Sequence, residues 1–253
     1  MDCNSEYIIR LATVDSTNRY MRDEAALLWN NSRKGKDFVV VVADFQTAGR
    51  GQRGNVWSSQ DGQNLLFSIM SRPGQALEVS NQFLLSQAAA LAIHTALKSY
   101  GIDTRLKWPN DIYVGNRKLA GILVEVDYSG IFVEQAIIGI GLNVNQTSFP
   151  EMDRLPVSMQ MLLGREISKN DVLLNILNSF GYYYNDILCG VTGGIATEYS
   201  DLLLGRGEMR EFATAAGRFS AVIEGVTSCG YLLLRRQDGT LSRYAFKEVE
   251  QLL

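Results

Sequence analysis

The sequence predicts an α+β fold, and three observations predict it. Helix-like and strand-like segments come in separate runs instead of alternating regularly. From Thr104 the pattern becomes strand-like, and three consecutive strands joined by short turns favour an antiparallel meander. Beyond Gly205 the chain consists of short strand-like segments, so we expect a small barrel-like domain at residues 206–253 after a larger domain at residues 1–205.

The first half of the chain predicts a helix, two strands and a second helix, in that order. The triplet Asp15–Thr17 contains good helix-capping residue types, and helical spacing follows from Arg19 to Trp29. Val39–Val42 are stiff, β-branched and apolar on both faces, so they predict a buried central strand. After a glycine-rich loop, NLLFSIM predicts another strand. A long helix is expected from about Ser80 to Tyr100.

The second half predicts the meander, two helices and the small domain. TRLKW, IYV and RKLAGILVEV are strand-like, with Gly115-Asn116 as a hairpin turn. Ser129-Gly130 turns the chain into FVEQAIIGIGLNV. Helices are expected from Asn170 to Cys189, with Asn170 as the N-cap, and in TEYSDLLL. Asp238-Gly239 indicates a hairpin among the C-terminal strands.

Composition and charge argue against several classes of function. The 253 residues carry a net charge of −3, so no basic excess points to DNA or an anionic membrane as a partner. No apolar run approaches the roughly 20 residues that span a bilayer, and the N-terminus lacks the features of a signal peptide. The three scattered cysteines, without CxxC spacing, argue against a disulfide framework or a zinc site and indicate a reducing cytoplasm.

His94 is the only histidine in the chain. A nucleophile activated by histidine would have to use it, and a site with several histidine ligands is impossible. It lies in LLSQAAALAIHTALKSYG, which predicts an amphipathic helix ending at Gly101. We therefore expect a packing or surface role for His94.

The loop Gly49–Asn55 is the first candidate binding element. Its glycines let the backbone approach a ligand, Arg50 and Arg53 supply donors suited to carboxylate or phosphate, and Trp57 offers a flat face for a ring. The loop matches neither the P-loop nor the dinucleotide-binding pattern. Taken alone, it is equally consistent with a flexible surface loop carrying solvated arginines.

Three further segments are weak signals singly and become informative because of the order in which they follow one another. KWPND at Lys107–Asp111 would by itself be a strand end and a turn. RKLAGIL at Arg117–Leu123 places Lys118 early in an apolar strand, with Gly121 leaving room where a side chain would stand. GIGLN at Gly139–Asn143 again has strand glycines that permit close approach.

Together with DSTN at Asp15–Asn18, these segments resemble the biotin–protein ligases, and the resemblance covers nearly the whole chain. The series GRGxRG…W, KWPND and KLAGIL is highly specific. The resemblance implies a core similar to class II aminoacyl-tRNA synthetases, with a mixed, mainly antiparallel sheet, followed by an SH3-like barrel. It implies an enzyme that activates biotin with ATP, accompanied by Mg²⁺, as biotinyl-5′-AMP. The biotin is then transferred to a lysine of a biotin carboxyl carrier protein.

The resemblance also implies residue roles. Catalytic roles are implied for Lys118, Arg50 and Arg53. Biotin contacts are implied for Ser16, Thr17, Gln46, Gly49, Arg50, Lys118 and Gly121. ATP or adenylate contacts are implied for Arg53, Trp57, Asn110, Asp111 and Asn143. The metal ligands and the base that deprotonates the acceptor lysine stay open, with Asp111 as a candidate base.

The chain departs from the family pattern in two places. Gln52 and Asn55 stand where the loop often carries arginines, which reduces its positive charge. Only 14 residues precede Asp15, too few for the DNA-binding domain of the bifunctional ligase-repressors, so we expect a monofunctional ligase that does not bind DNA.

Two alternatives stay open at this point. A lipoate–protein ligase or octanoyltransferase shares the same general logic, and a non-catalytic biotin-binding regulatory module belongs to a different class. KWPND, KLAGIL and the arginine loop favour biotin over lipoate, and the presence of both biotin-side and ATP-side residues favours an enzyme. The sequence does not fix the oligomeric state, although an exposed strand edge could form a homodimer or dock the acceptor.

Overall fold

The computed structural model describes residues 8–31, 37–150 and 155–253, and leaves the side chain of Arg53 undescribed. Within these ranges, a large mixed sheet with helices on both faces precedes a smaller antiparallel sheet. The predicted α+β class is therefore confirmed.

The strands of the large sheet are β1 (Ile8–Val14), β2 (Phe38–Gln46), β3 (Leu65–Ser71), β4 (Gly74–Glu78), β5 (Arg105–Lys107), β6 (Asp111–Val114), β7 (Arg117–Ser129) and β8 (Phe132–Leu142). They lie in the order β1-β2-β3-β8-β7-β6-β5, with β4 paired to β8 off this path. β1 is parallel to β2, and the other pairs are antiparallel. The predicted meander is confirmed as β5 to β8.

The helices are α1 (Thr17–Asp23), α2 (Ala25–Asn31), α3 (Phe83–Lys98), α4 (Met159–Leu163), α5 (Lys169–Leu188) and α6 (Gly193–Asp201). α3, α5 and α6 share the main hydrophobic core with one face of the sheet, whereas α1 and α2 cover part of the other face. In the described ranges, no helix is long and apolar enough to cross a membrane.

The valine-rich strand β2 joins these two cores. Val40 and Val42 pack into the core beneath α3 and α5, and Val39 and Val41 pack against α1 and α2. Successive side chains of a strand point to opposite faces, so four consecutive valines are what a strand covered on both faces requires. The prediction of a buried central strand is confirmed.

Several local predictions were wrong. The single helix expected from Arg19 to Trp29 is two short helices, because Glu24 leaves the helical conformation (φ −102, ψ 9). The N-cap of α5 is Ser168, whose side chain accepts a hydrogen bond from the Asp171 amide, and not Asn170. The strands β1 and β4 were not predicted.

The small sheet consists of β9 (Met209–Thr214), β10 (Gly217–Val226), β11 (Leu232–Arg236), β12 (Leu241–Tyr244) and β13 (Glu250–Gln251). Its order is β12-β11-β10-β9-β13, all antiparallel. Trp108 joins it to the large sheet: its indole Nε1 donates to the Gly230 carbonyl at 2.9 Å, and its ring meets Phe246 edge-on. The KWPND segment is therefore held against the C-terminal sheet.

Candidate active site

A cleft of about 520 Å³ lies between the large sheet, the loop that follows β2, and the small sheet. The predicted site residues on its walls are Ser16, Thr17, Gln46, Arg50, Trp57, Asn110, Asp111, Lys118 and Gly121. Gly49 and Asn143 are not among the residues that line it. The side chain of Arg53 lies outside the described part of the chain. The structure thus gathers most of the predicted residues around one cavity.

Alternation along the strands determines which side chains face this cleft. In β8, Ile138 and Ile140 belong to the main core, so Gly139 and Gly141 face the opposite side of the sheet. The same alternation in β3 turns Ser68 toward that side. The floor of the cleft is therefore built from small residues, which leaves space above the sheet for the Trp57 ring and the Asn18 side chain.

A β-bulge brings Lys118 to the cleft. Ala120 pairs with Ile112, but the next residue along β6 pairs with Lys118, so Leu119 is an extra residue in β7. Leu119 and Ala120 are both buried in the main core. Strict alternation would place Lys118 and Gly121 on opposite faces, and the extra residue places both on the cleft side.

Lys118 forms an ion pair with Asp111 at the cleft. Lys118 Nζ lies 2.6 Å from Asp111 Oδ1, and the two side chains are 24% and 7% exposed. An ammonium group has three donors, so this contact leaves Lys118 able to bind an anionic ligand as well. Asp111 thereby fixes the position of a cation at the cleft floor.

Trp57 lies on a seat formed by two glycines. Gly121 and Gly141 are cross-strand partners in β7 and β8. A Cβ on Gly141 would lie 2.7 Å from Trp57 Cδ2 and Cζ2, and one on Gly121 would lie 3.1 Å from Cζ3. Lys118 Nζ is 5.6 Å from the ring centroid. The buried Trp57 Nε1 has no hydrogen-bond partner among the described residues, which leaves it available as a donor to a ligand.

The loop after β2 positions Trp57. The Trp57 amide donates to the Gly49 carbonyl at 3.0 Å, and Arg50 forms an isolated antiparallel bridge with Val56. A Cβ on Gly49 would collide with the Trp57 carbonyl oxygen. A glycine is therefore needed at residue 49 for the two arms of the loop to meet.

The polar wall lies at the N-terminus of α1. Ser16 and Thr17 are each only 3% exposed. Gln46 Oε1 accepts hydrogen bonds from the Thr17 backbone N at 2.8 Å and from Thr17 Oγ1 at 3.1 Å. Because Oε1 is engaged twice, the amide group presents Nε2 to a ligand acceptor.

Asn110 and Asn143 use their amides to brace the backbone. Asn110 Nδ2 donates to the Ile122 carbonyl at 2.7 Å, and Asn143 Nδ2 donates to the Val157 carbonyl at 3.1 Å. Beneath the KWPND segment lies the fully buried Tyr199. Burial, and secondarily the charge of Asp111, raises the pKa of its hydroxyl. These contacts fix the backbone beside the Lys118–Asp111 pair.

Comparison with known proteins identifies the family. Residues 11–143, more than half of the chain, match the model of the biotin/lipoate A/B protein ligase family. The chain belongs to this family. The bifunctional ligase/repressor BirA of Bacillus spizizenii is 34% identical over 243 residues, which cover 95% of this chain and 73% of that protein. The biotin–[acetyl-CoA-carboxylase] ligase of Paracoccus denitrificans is 30% identical over 239 residues, which cover 90% of this chain and 94% of that protein.

The fold agrees with solved members of the ligase family. The biotin protein ligase from Aquifex aeolicus in complex with biotin and ATP superposes with a TM-score of 0.79 at 27% identity, covering 98% of this chain and 99% of that one. In the bifunctional relatives from Bacillus, Escherichia coli and Salmonella typhimurium, the matched segments cover 39% to 73% of the relative's length. The resemblance predicted from the motifs is confirmed.

Some residues in and around this cleft were not predicted from the sequence. Asn18 and Ser68 are buried beside Thr17, and part of the cleft wall comes from the C-terminal region, including Thr214 at the end of β9 and Phe246 between β12 and β13. Asn18 had a signal, since it completes the DSTN motif. The other three had none, because only the packing of the sheets brings them to the cleft.

His94 is not among the residues that line the cleft. His94 is buried in α3, where its Nδ1 lies 2.8 Å from Thr104 Oγ1, so the predicted packing role is confirmed. Burial, and then the charge of Lys98, lowers the pKa of His94. In the described ranges, no group of three or more His, Cys, Asp or Glu side chains is arranged to hold a metal ion.

Proposed function

We propose that this chain is a biotin–protein ligase that forms biotinyl-5′-AMP from biotin and ATP, releases pyrophosphate, and transfers biotin to a lysine of a carrier protein. The observation that carries this proposal is the placement of Lys118, held by Asp111 at 2.6 Å, beside the glycine seat of Trp57 and in the same cleft as the Thr17–Gln46 wall. One cleft thus combines a polar wall, the flat ring of Trp57 and a cation that is held in position.

Cations are needed because the first step joins two anions. The biotin carboxylate attacks the α-phosphate, and the bond to pyrophosphate breaks. Lys118 and Arg50 line the cleft and would offset the repulsion, with Arg53 as a third cation of the loop. Charges fixed before the reaction stabilise the transition state without further reorganisation. The Asp111 contact supplies this preorganisation for Lys118.

The polar wall suits the ureido ring of biotin. Gln46 Nε2 is a donor for the urea oxygen, and the hydroxyls of Ser16 and Thr17 contact the ring at the same end of the cleft. Gly49 lets the two arms of the loop meet, and Gly121 lines the cleft beneath the Trp57 ring. A site with apolar surfaces and a few convergent polar groups is typical of small-molecule recognition.

The nucleotide lies toward Trp57, Asn110 and Asp111 in this proposal, with Asn143 bracing the strand end behind them. Mg²⁺ arrives with the phosphates of ATP, because magnesium is commonly bound through substrate phosphates and few protein ligands. In the second step the acceptor lysine attacks the acyl carbon and AMP leaves. Its ammonium must first lose a proton, and Asp111 is a candidate base.

The finer architecture belongs to the same proposal. We expect a class II synthetase-like core at residues 1–205 and an SH3-like barrel at residues 206–253. The separate five-stranded sheet that begins at Met209 supports this division. The proposed setting is the cytoplasm, with a biotin carboxyl carrier domain as partner, no DNA or membrane partner, and a possible homodimer.

The deciding experiment is ATP–pyrophosphate exchange measured with biotin and with lipoate. Biotin-dependent exchange, followed by labelling of an isolated carrier domain detected with streptavidin, is the expected result. Exchange with lipoate alone would identify a lipoate ligase. Biotin binding without exchange would identify a non-catalytic module, and either result would contradict the proposal.

A further inference from the structure

Glu125 contacts residues on two sides of the cleft, although Glu125 itself is not among the residues that line the cavity. It lies in β7 on the same face as Gly121, and its side chain is 19% exposed. Its Oε2 accepts a hydrogen bond from Asn18 Nδ2 at 2.8 Å, and its Oε1 accepts one from Arg50 Nη2 at 3.2 Å. One carboxylate therefore joins the N-terminus of α1 to the glycine-rich loop.

The Asn18 end of this contact continues into the polar wall. The Ser68 hydroxyl lies 2.6 Å from Asn18 Oδ1 and 2.8 Å from Thr17 Oγ1, and Thr17 in turn contacts Gln46. A carboxylate can only accept, so Asn18 turns Nδ2 toward Glu125 and Oδ1 toward the Ser68 hydroxyl. The result is a continuous chain of polar contacts from Gln46 to Arg50.

Close packing fixes the orientation of Asn18. A Cβ on Gly139 would lie 2.9 Å from Asn18 Cγ, so the amide rests directly on the backbone of β8. Asn18 is 2% exposed. Buried polar groups with every partner in place define one arrangement, and a change at one member is felt by the next.

We propose that Glu125 is a positioning residue that holds Arg50 beside the cleft and couples the glycine-rich loop to the polar wall. The holding role stands on the geometry alone, whereas the coupling to biotin rests on the proposed function. Arg50 is 49% exposed, so its contact with Glu125 restricts an otherwise mobile side chain yet is weak enough for an anionic substrate to share the guanidinium.

The holding role is tested without substrate. Glu125→Gln keeps the size of the side chain and an acceptor for Asn18 but removes the charge that faces Arg50 at 3.2 Å and Arg22 at 4.0 Å. Hydrogen exchange at residues 47–57 should become roughly three- to fivefold faster. Glu134→Gln, an exposed carboxylate on β8, is the matched control and should leave the rate unchanged. Arg50→Gln breaks the same contact from the loop side and should reproduce the increase. Unchanged exchange in both the Glu125 and Arg50 variants would overturn the proposal.

The coupling is tested by kinetics of biotin-dependent exchange. Glu125→Gln should raise the KM for biotin several-fold, with kcat within about twofold and the KM for ATP nearly unchanged. Asn18→Asp places a carboxylate against Glu125 and should raise the biotin KM further. Asn18→Asp combined with Glu125→Gln restores a donor–acceptor pair with its direction reversed, and should recover the value of Glu125→Gln alone.

The outcomes separate the two proposals. A double variant as impaired as Asn18→Asp alone would overturn the coupling, because simple loss of packing at Asn18 predicts no rescue. If the unmodified chain shows no biotin-dependent exchange, the proposed function fails. The hydrogen-exchange comparison would still decide whether Glu125 holds Arg50.

Discussion

Gly141→Ala tests whether the glycine seat of Trp57 holds the loop after β2 in place over the cleft. The added Cβ would lie 2.7 Å from two carbons of the indole, whereas carbon atoms in contact prefer about 3.5–4.0 Å. The ring must therefore withdraw by roughly 1 Å or more. Gly141 lies in β8 between β3 and β7, so the strand is held on both sides and the loop is the part that moves.

The size of the effect follows from the contact that is lost. A tryptophan side chain buries about 150–250 Å², and one face of the ring accounts for roughly 100 Å². At about 25 cal/mol per Å², losing that contact costs up to about 2.5 kcal/mol. We therefore expect the arrangement in which the Trp57 ring rests on the seat to be disfavoured by up to roughly 60-fold, with little change in the global free energy of unfolding.

The assay combines biotin-dependent pyrophosphate exchange, hydrogen exchange at the Trp57 loop and urea unfolding. Gly181→Ala is the matched control, since a Cβ there meets nothing closer than 3.8 Å and lies within α5. It should retain activity and gain up to about 1 kcal/mol of stability from better helix propensity.

A double-mutant cycle decides the mechanism. If Gly141→Ala acts by displacing the indole, it should have almost no further effect in a Trp57→Ala background. An equal loss of activity with and without the Trp57 ring would refute the reasoning, because the new methyl group would then be acting on something other than Trp57.

Three further predictions concern other parts of the molecule. Lys118→Ala should lower kcat for adenylate formation by about 10²–10³-fold, since a fixed cation is lost, and near-normal pyrophosphate exchange would contradict its role. Trypsin should cleave after Arg50 or Arg53, and biotin with ATP should slow this cleavage in a time course, because ordering the loop and binding anions are coupled; equal rates would contradict this coupling. Burial lowers the pKa of His94 in the folded chain, so its contribution to stability is complete above the unfolded value of about 6.5 and declines as the pH falls toward the folded value. His94→Gln should flatten that decline in urea unfolding at pH 7 and 5.5, and an unchanged difference between the two pH values would contradict this assignment.

Elements with a strong local signal were predictable from the sequence. The structure of the valine-rich strand β2 and of the glycine turns of the meander is determined by residues that are neighbours in the sequence. β1 was missed because Ile8–Val14 is an edge strand with half-buried and exposed positions, and its identity depends on pairing with β2 about thirty residues away. Such a strand has little local pattern.

The candidate site likewise has features that the sequence predicts and features that only the folded structure shows. The motifs predicted that Lys118 and Gly121 act together, but alternation alone would have placed them on opposite faces, and the extra residue Leu119 is visible only in the strand register. The contact of Asn18 with Glu125 joins residues 107 positions apart. No local pattern encodes it, because it exists only once α1 lies on the sheet.

The cleft wall formed by the small sheet has a consequence for biosynthesis. Groups that line the cleft range from Ser16, near the start of the described chain, to Gln251. The cavity therefore cannot be complete until the last strand has left the ribosome and docked, however early the large sheet forms. Pairings between distant segments also form late and slowly during folding. A nascent or truncated chain would expose the floor of the cleft without its cover, so such intermediates should be the species most prone to aggregation and proteolysis.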